Sequence, residues 1–139
     1  MKPIFIISGE KGSGKTSFLI ELIHLLQDEK YKVKGFVALH DLKEDAYYIK
    51  RVSNNEKDRP HHFEVSDEAI KKGNNWMREI VEDSPDLAVI DEIGNFELNN
   101  QLWYEGFSSL IESPVPLIFT TKNRYVERIM NKWHVRPTF

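Results

Sequence analysis

The chain has 139 residues, 40% of them apolar and 29% charged, a globular composition that fits one domain, residues 1–139, with a core of ordinary size. It has no cysteine, which excludes a disulfide framework and a thiolate zinc site and fits a reducing, cytoplasmic setting. A formal net charge of −3 offers no basic footprint for nucleic acid, and the apolar runs are far shorter than a membrane span, so neither partner is expected. The chain enters an apolar run at once, with no small-residue cleavage site, so Ile4 to Ile7 reads as core strand and not as a signal peptide.

In chain order, Pro3 to Ser8 predicts a short buried strand that runs into Gly9. Lys15 to Glu29 predicts a helix: Phe18, Leu22, Leu25 and Leu26 recur at helical spacing, and Leu19 and Ile23 widen the apolar face. Val33 to His40 and Ala46 to Val52 are strands, paired across the polar turn between them. Ser53 to His61 is the most loop-like stretch. Ser66 can cap a helix opened by Asp67-Glu68, and Gly73-Asn74-Asn75 is expected to break or kink that helix before Trp76 to Glu82. Leu87 to Ile90 is an apolar strand ending at Asp91-Glu92. A helix over Asn100 to Ile111, a strand over Leu117 to Thr121 and a helix over Asn123 to Lys132 complete the order.

Strands alternating with helices, and apolar throughout, predict an α/β fold: a mostly parallel sheet flanked by helices on both faces. Ligands of such sheets bind at the carboxyl ends of the strands, where the polar signals of this chain collect.

The strongest of these is Gly9-Glu10-Lys11-Gly12-Ser13-Gly14-Lys15-Thr16, which matches G-x-x-x-x-G-K-[ST] between a strand and a helix. Glycines let successive N–H groups converge on an anion, and the helix N-terminus that follows favours negative charge. Gly9 to Ser17 therefore forms the nucleotide-binding segment. In it Lys15 reaches the β- and γ-phosphates and Thr16 offers its hydroxyl to Mg²⁺, with Ser17 next to it; Lys11 also reads as a solvated loop charge.

Asp91-Glu92 supplies the second signal. A carboxylate at a strand end can hold Mg²⁺ directly or through its waters, which assigns the metal to Thr16 and Asp91. The neighbouring Glu92 is placed to orient or deprotonate an attacking water, so Glu92 and Lys15 are the catalytic pair. Weaker signals are Thr120-Thr121-Lys122, at the end of the next strand, and Arg124 and Arg128, which share a helix face and can neutralise transition-state charge or simply lie in solvent. His24 reads as structural, and Trp76, Trp103 and Trp133 as packing residues.

The phosphate loop, Lys34-Gly35-Phe36, and the segment Val89 to Leu98 (VIDEIGNFEL) together resemble the THEP1-like nucleoside triphosphatases, whose hallmark is Asp-Glu-Ile-Gly, two variable positions and Glu-Leu. The resemblance runs from about Met1 to Lys132. It implies Mg²⁺-dependent hydrolysis of several nucleoside triphosphates, ATP or GTP among them, and it carries Glu97 over as a site residue. The chain departs from the family at Asn95-Phe96, where Lys-Met is common, and at Glu10-Lys11, where prolines are frequent. The expectation is hydrolysis to diphosphate and phosphate. The alternatives are a small-molecule or nucleotide kinase and a nucleotide-dependent switch with poor turnover. Oligomeric state and preferred base are not written in these patterns.

Overall fold

A computed structural model of the chain describes residues 2–10, 12–41, 46–52, 61–62 and 67–138. The elements in order are β1 (Ile4–Ser8), α1 (Lys15–Asp28), β2 (Val33–Asp41), β3 (Ala46–Val52), β4 (His61–His62), α2 (Asp67–Asp83), β5 (Leu87–Ile90), α3 (Asn95–Leu98), α4 (Tyr104–Glu112), β6 (Leu117–Thr121) and α5 (Val126–Trp133), with a 3₁₀ turn, Asn123–Tyr125, before α5. Lys11, the β2–β3 turn, Ser66 and most of the loop-like stretch after Val52 lie outside the described residues.

Among those residues the strands form one six-stranded sheet in the order β1-β6-β5-β2-β3-β4. The first four run parallel, and β3 and β4 extend the sheet as antiparallel strands. The two-residue side-chain period of a strand splits each apolar run between two faces. Val33, Val37, Val89 and Ile118 pack on one face with Leu19 and Ile23 of α1. Phe36, Ala88, Ile90, Leu117 and Phe119 pack on the other with Met77 of α2, Phe107 and Leu110 of α4 and Ile129 of α5. One helix thus covers one face and three cover the other. Among the described residues no helix is long and apolar enough to cross a membrane.

The buried stripe of α1 differs from the predicted one. Leu19 and Ile23 form its centre, with Ile20, Leu22 and Leu26 beside them, while Phe18 is 56% and Leu25 64% exposed. Among the described residues no second layer of helix lies outside α1, so its broad apolar face is only partly used. His24 is likewise exposed on α1.

Helix α2 runs unbroken through Gly73-Asn74-Asn75. These residues serve a helix–helix contact. A Cβ on Gly73 would stand 2.1 Å from the Trp103 ring. The buried Asn74 side chain donates Nδ2 to Ile70 O (2.9 Å) and Leu102 O (2.8 Å), and its Oδ1 accepts the Gly106 N–H at 2.7 Å. Composition favours a helix break there, but the Asn74 side chain bonds both its own helix at Ile70 and the backbone that leads into and opens α4.

Helix α4 starts four residues later than expected, because Asn100 (φ 60°) and Leu102 (φ 54°) take left-handed backbone that no α-helix contains. Trp103 and Trp133 act as packing residues: Trp103 lies 5.3 Å from Phe36 and Trp133 stands edge-on to Phe107 at 5.0 Å, ring centre to ring centre.

Candidate active site

Every strong polar signal of the sequence comes to the carboxyl edge of the parallel strands. The loop from Gly9 leaves β1 and turns into α1 through Gly14, whose φ of 89° an L side chain rarely adopts. The lysine that opens the helix folds back over this loop. Lys15 Nζ donates to Gly9 O at 2.8 Å and Glu10 O at 3.0 Å, which leaves a buried cation solvated by backbone carbonyls. Those bonds are exchangeable for phosphate oxygens, which compensate the same charge better. Gly12, Ser13, Ser17 and Glu10 are exposed at the loop rim; Lys11 is not among the described residues.

Asp91 ties the edge together. It is 2% exposed at the end of β5. Its Oδ2 accepts the Thr16 hydroxyl at 2.9 Å and the Ala38 N–H at 3.1 Å, while its Oδ1 accepts a short hydrogen bond from the Thr120 hydroxyl. One carboxylate therefore touches α1, β2 and β6. A buried carboxylate with this many donors is held in one rotamer. Thr16 and Asp91 together present two oxygen donors within hydrogen-bond reach of each other, one of them anionic. This set suits a hard cation such as Mg²⁺, which prefers oxygen and takes its remaining ligands from water and phosphate. The residues fit the ion that the sequence implies.

Strand β6 lies between β1 and β5 and braces both. Gly9 N donates to Thr121 O at 3.2 Å, and Ile93 N to Thr120 O at 3.0 Å, so adjacent peptides of one strand hold the phosphate loop and the acidic segment. The Thr121 hydroxyl is buried and makes no hydrogen bond among the described residues.

Glu92 is half-buried beside this arrangement. Burial raises its pKa above the usual carboxylate value; the Lys15 and Lys122 ammonium groups pull it down, and the Asp91 charge pushes it up. A carboxylate in that position is a better base than an exposed one.

Glu97, known to sequence reasoning only through the family pattern, is 2% exposed. Its Oε1 accepts the Gly94 N–H at 2.7 Å, and its Oε2 makes no hydrogen bond among the described residues. Burial raises its pKa to about 7, against the opposing pull of the Gly94, Trp103 and Glu97 backbone N–H groups, with a smaller upward push from Glu92. No periodicity pointed to it; a lone acid in a polar stretch carries no burial signal.

Arg124 and Arg128 stand apart from the phosphate loop in their contacts. Both lie over the Tyr125 ring, at 4.9 Å and 6.0 Å, and Arg124 belongs to the 3₁₀ turn and not to α5. That ring in turn approaches Gly94 of the acidic segment.

A parallel sheet that feeds a glycine-rich loop into a helix, with an aspartate on a neighbouring strand facing the helix's first threonine, has the architecture of the P-loop nucleoside triphosphatases. The comparisons agree. The family model described as NTPase matches residues 4–138, and the chain belongs to that family of nucleoside triphosphatases. A solved structure similar to it is THEP1 from the hyperthermophile Aquifex aeolicus, at 20% identity and a TM-score of 0.67, covering 97% of this chain and 86% of that one. No curated protein matches the chain.

Proposed function

We propose that the chain cleaves nucleoside triphosphates to diphosphate and phosphate with Mg²⁺, at the edge formed by Gly9 to Ser17, Asp91 and Glu92. The observation that carries this reading is the Asp91 carboxylate, which accepts from Thr16 and Thr120 at once and so joins the phosphate loop to the strand behind it. A single domain acting in the cytoplasm belongs to the same proposal.

The loop amides and the α1 N-terminus bind the phosphate oxygens, and Lys15 exchanges its carbonyl partners for the β- and γ-phosphates. Thr16 and Asp91 would hold Mg²⁺, which when bound would supply neutralisation of the phosphate charge. Glu92 orients a water in line with the γ-phosphorus and takes its proton as the new P–O bond forms and the bridging P–O bond breaks. Its raised pKa helps the acceptance, and the nearby cations of Lys15 and Lys122 oppose the rise.

The test is phosphate release across the common nucleoside triphosphates with and without Mg²⁺. Release in the absence of any acceptor, and only with the metal, is the expected result. Release that requires an added hydroxyl acceptor would make the chain a kinase, and binding without release would make it a switch.

A further inference from the structure

The peptide flanking Glu92 is anchored on both sides. Before it, Asp91 N donates to Phe36 O at 3.1 Å; after it, Ile93 N donates to Thr120 O at 3.0 Å. Those two anchors are backbone to backbone. The next, at Gly94, uses a side chain: the Glu97 carboxylate, 2.7 Å away. From there Leu98 N donates to Gly94 O at 3.1 Å, which closes α3 as a compact turn. A buried acid is a costly acceptor for the backbone N–H groups of such a turn, since neutral carbonyls or waters can accept the same bonds. Glu97 takes the Gly94 N–H, and the Trp103 and Glu97 N–H groups act on the same carboxyl. The second oxygen of that acid makes no hydrogen bond among the described residues, so the Gly94 bond is the closest tie of the carboxylate to the segment that leaves Glu92.

We infer that Glu97 is a positioning residue, whose bond to the Gly94 N–H fixes the backbone exit from Glu92 and so the aim of the Glu92 carboxylate. This rests on Glu92 as the residue that handles the attacking water. The Glu97 side chain does not touch the reacting atoms. Its contribution is to the rate and not to nucleotide binding, because the phosphate loop and Asp91 are anchored by bonds of their own. Its electrostatic proximity to Glu92 fits a place beside the catalytic acid.

The experiment compares three variants with the parent. Glu97→Gln keeps a carbonyl oxygen for the Gly94 N–H and a similar shape. Glu97→Met keeps length and burial but has no comparable acceptor. Glu92→Gln controls for the reading on which the inference rests. The readouts are affinity for a non-hydrolysable triphosphate, the single-turnover rate, and hydrogen exchange at the Gly94 amide.

The methionine variant should lose about 10²-fold in rate, the scale of a misplacement of about 1 Å, with affinity unchanged and Gly94 exchange accelerated. The glutamine variant should stay within about threefold of the parent. A methionine variant at the parental rate overturns the inference, as does a glutamine variant that falls as far as the methionine one. If Glu92→Gln hydrolyses like the parent, the catalytic reading fails and not the anchoring. Should the methionine variant not fold, the parent decides: a Gly94 amide that exchanges as fast as an exposed loop amide refutes the anchor.

Discussion

At the scale of single residues, Asp91 and Glu92 are neighbours with unlike surroundings, and they should fail differently. Asp91 is buried and takes donors from α1, β2 and β6, so Asp91→Asn should lose Mg²⁺-dependent affinity and turnover together. Glu92 makes no such bonds among the described residues, so Glu92→Gln should keep affinity and lose about 10²–10⁴-fold in single-turnover rate, the usual contribution of a general base. A Glu92→Gln protein within threefold of the parent would return that residue to an ordinary strand-end carboxylate. Lys15→Ala should fold, since its amine bonds only to loop carbonyls, yet bind a Mg²⁺-loaded triphosphate far more weakly; calorimetric titration reads the difference.

Glu97 also makes stability depend on pH. Its carboxyl moves from an ordinary 4.5 to about 7 on folding, so the native state binds more protons than the unfolded chain between those values. Stability is therefore fully supported below about 4.5 and falls as pH rises through about 7. At 1.36 kcal/mol for each unit, the loss is about 3 kcal/mol. Denaturant unfolding at pH 5 and pH 8 should show this loss in the parent and not in Glu97→Gln; equal slopes in the two proteins would refute it. The phosphate loop, Asp91 and Glu92 were legible because their chemistry is tied to spacing and to strand ends. The burial of Glu97 was not, because it follows from a four-residue turn against Trp103 that no local pattern encodes.

Among the elements, the strands β2, β3, β5 and β6 were read nearly to the residue, and β5 and β6 most plainly, since each is a continuous apolar run buried on both faces. Helices were read less well, where tertiary contacts override composition. In α2 the weak helix formers Gly73 and Asn74 are kept for what they face in α4. Asn74→Ala removes three hydrogen bonds and leaves Leu102 O and Gly106 N buried without a partner, so it should destabilise by roughly 2–4 kcal/mol. An unchanged denaturant midpoint would mean that water replaces the side chain. In α1 the predicted stripe included residues that remain outside. Leu19→Ala should cost about 2–5 kcal/mol, while Leu25→Ala should stay within about 0.5 kcal/mol, and equal effects would contradict the packing seen here.

Across the whole molecule, the sheet order sets what the site can do. The helix after β1 crosses to β2, so the two later strands, β5 and β6, fill the space between and bring Asp91 and Thr120 to the loop. Nucleotide bound here would bridge β1, α1 and β5, and its binding energy would add to global stability. At a hundred times the dissociation constant this is about 2.7 kcal/mol, or a rise in Tm on the order of 10 °C for a domain of this size. A thermal scan with a non-hydrolysable triphosphate and Mg²⁺ should show that rise and should lose it in Lys15→Ala.

The place of β6 has one more consequence. Thr120 O and Thr121 O belong to adjacent peptides, one bonded to the acidic segment and the other to the phosphate loop. Displacements of β6 are therefore common-mode: when the strand slides or tilts, both parts of the site travel in the same sense and their separation is conserved to first order. A base on the acidic segment and a phosphate on the loop would thus both be held to one strand.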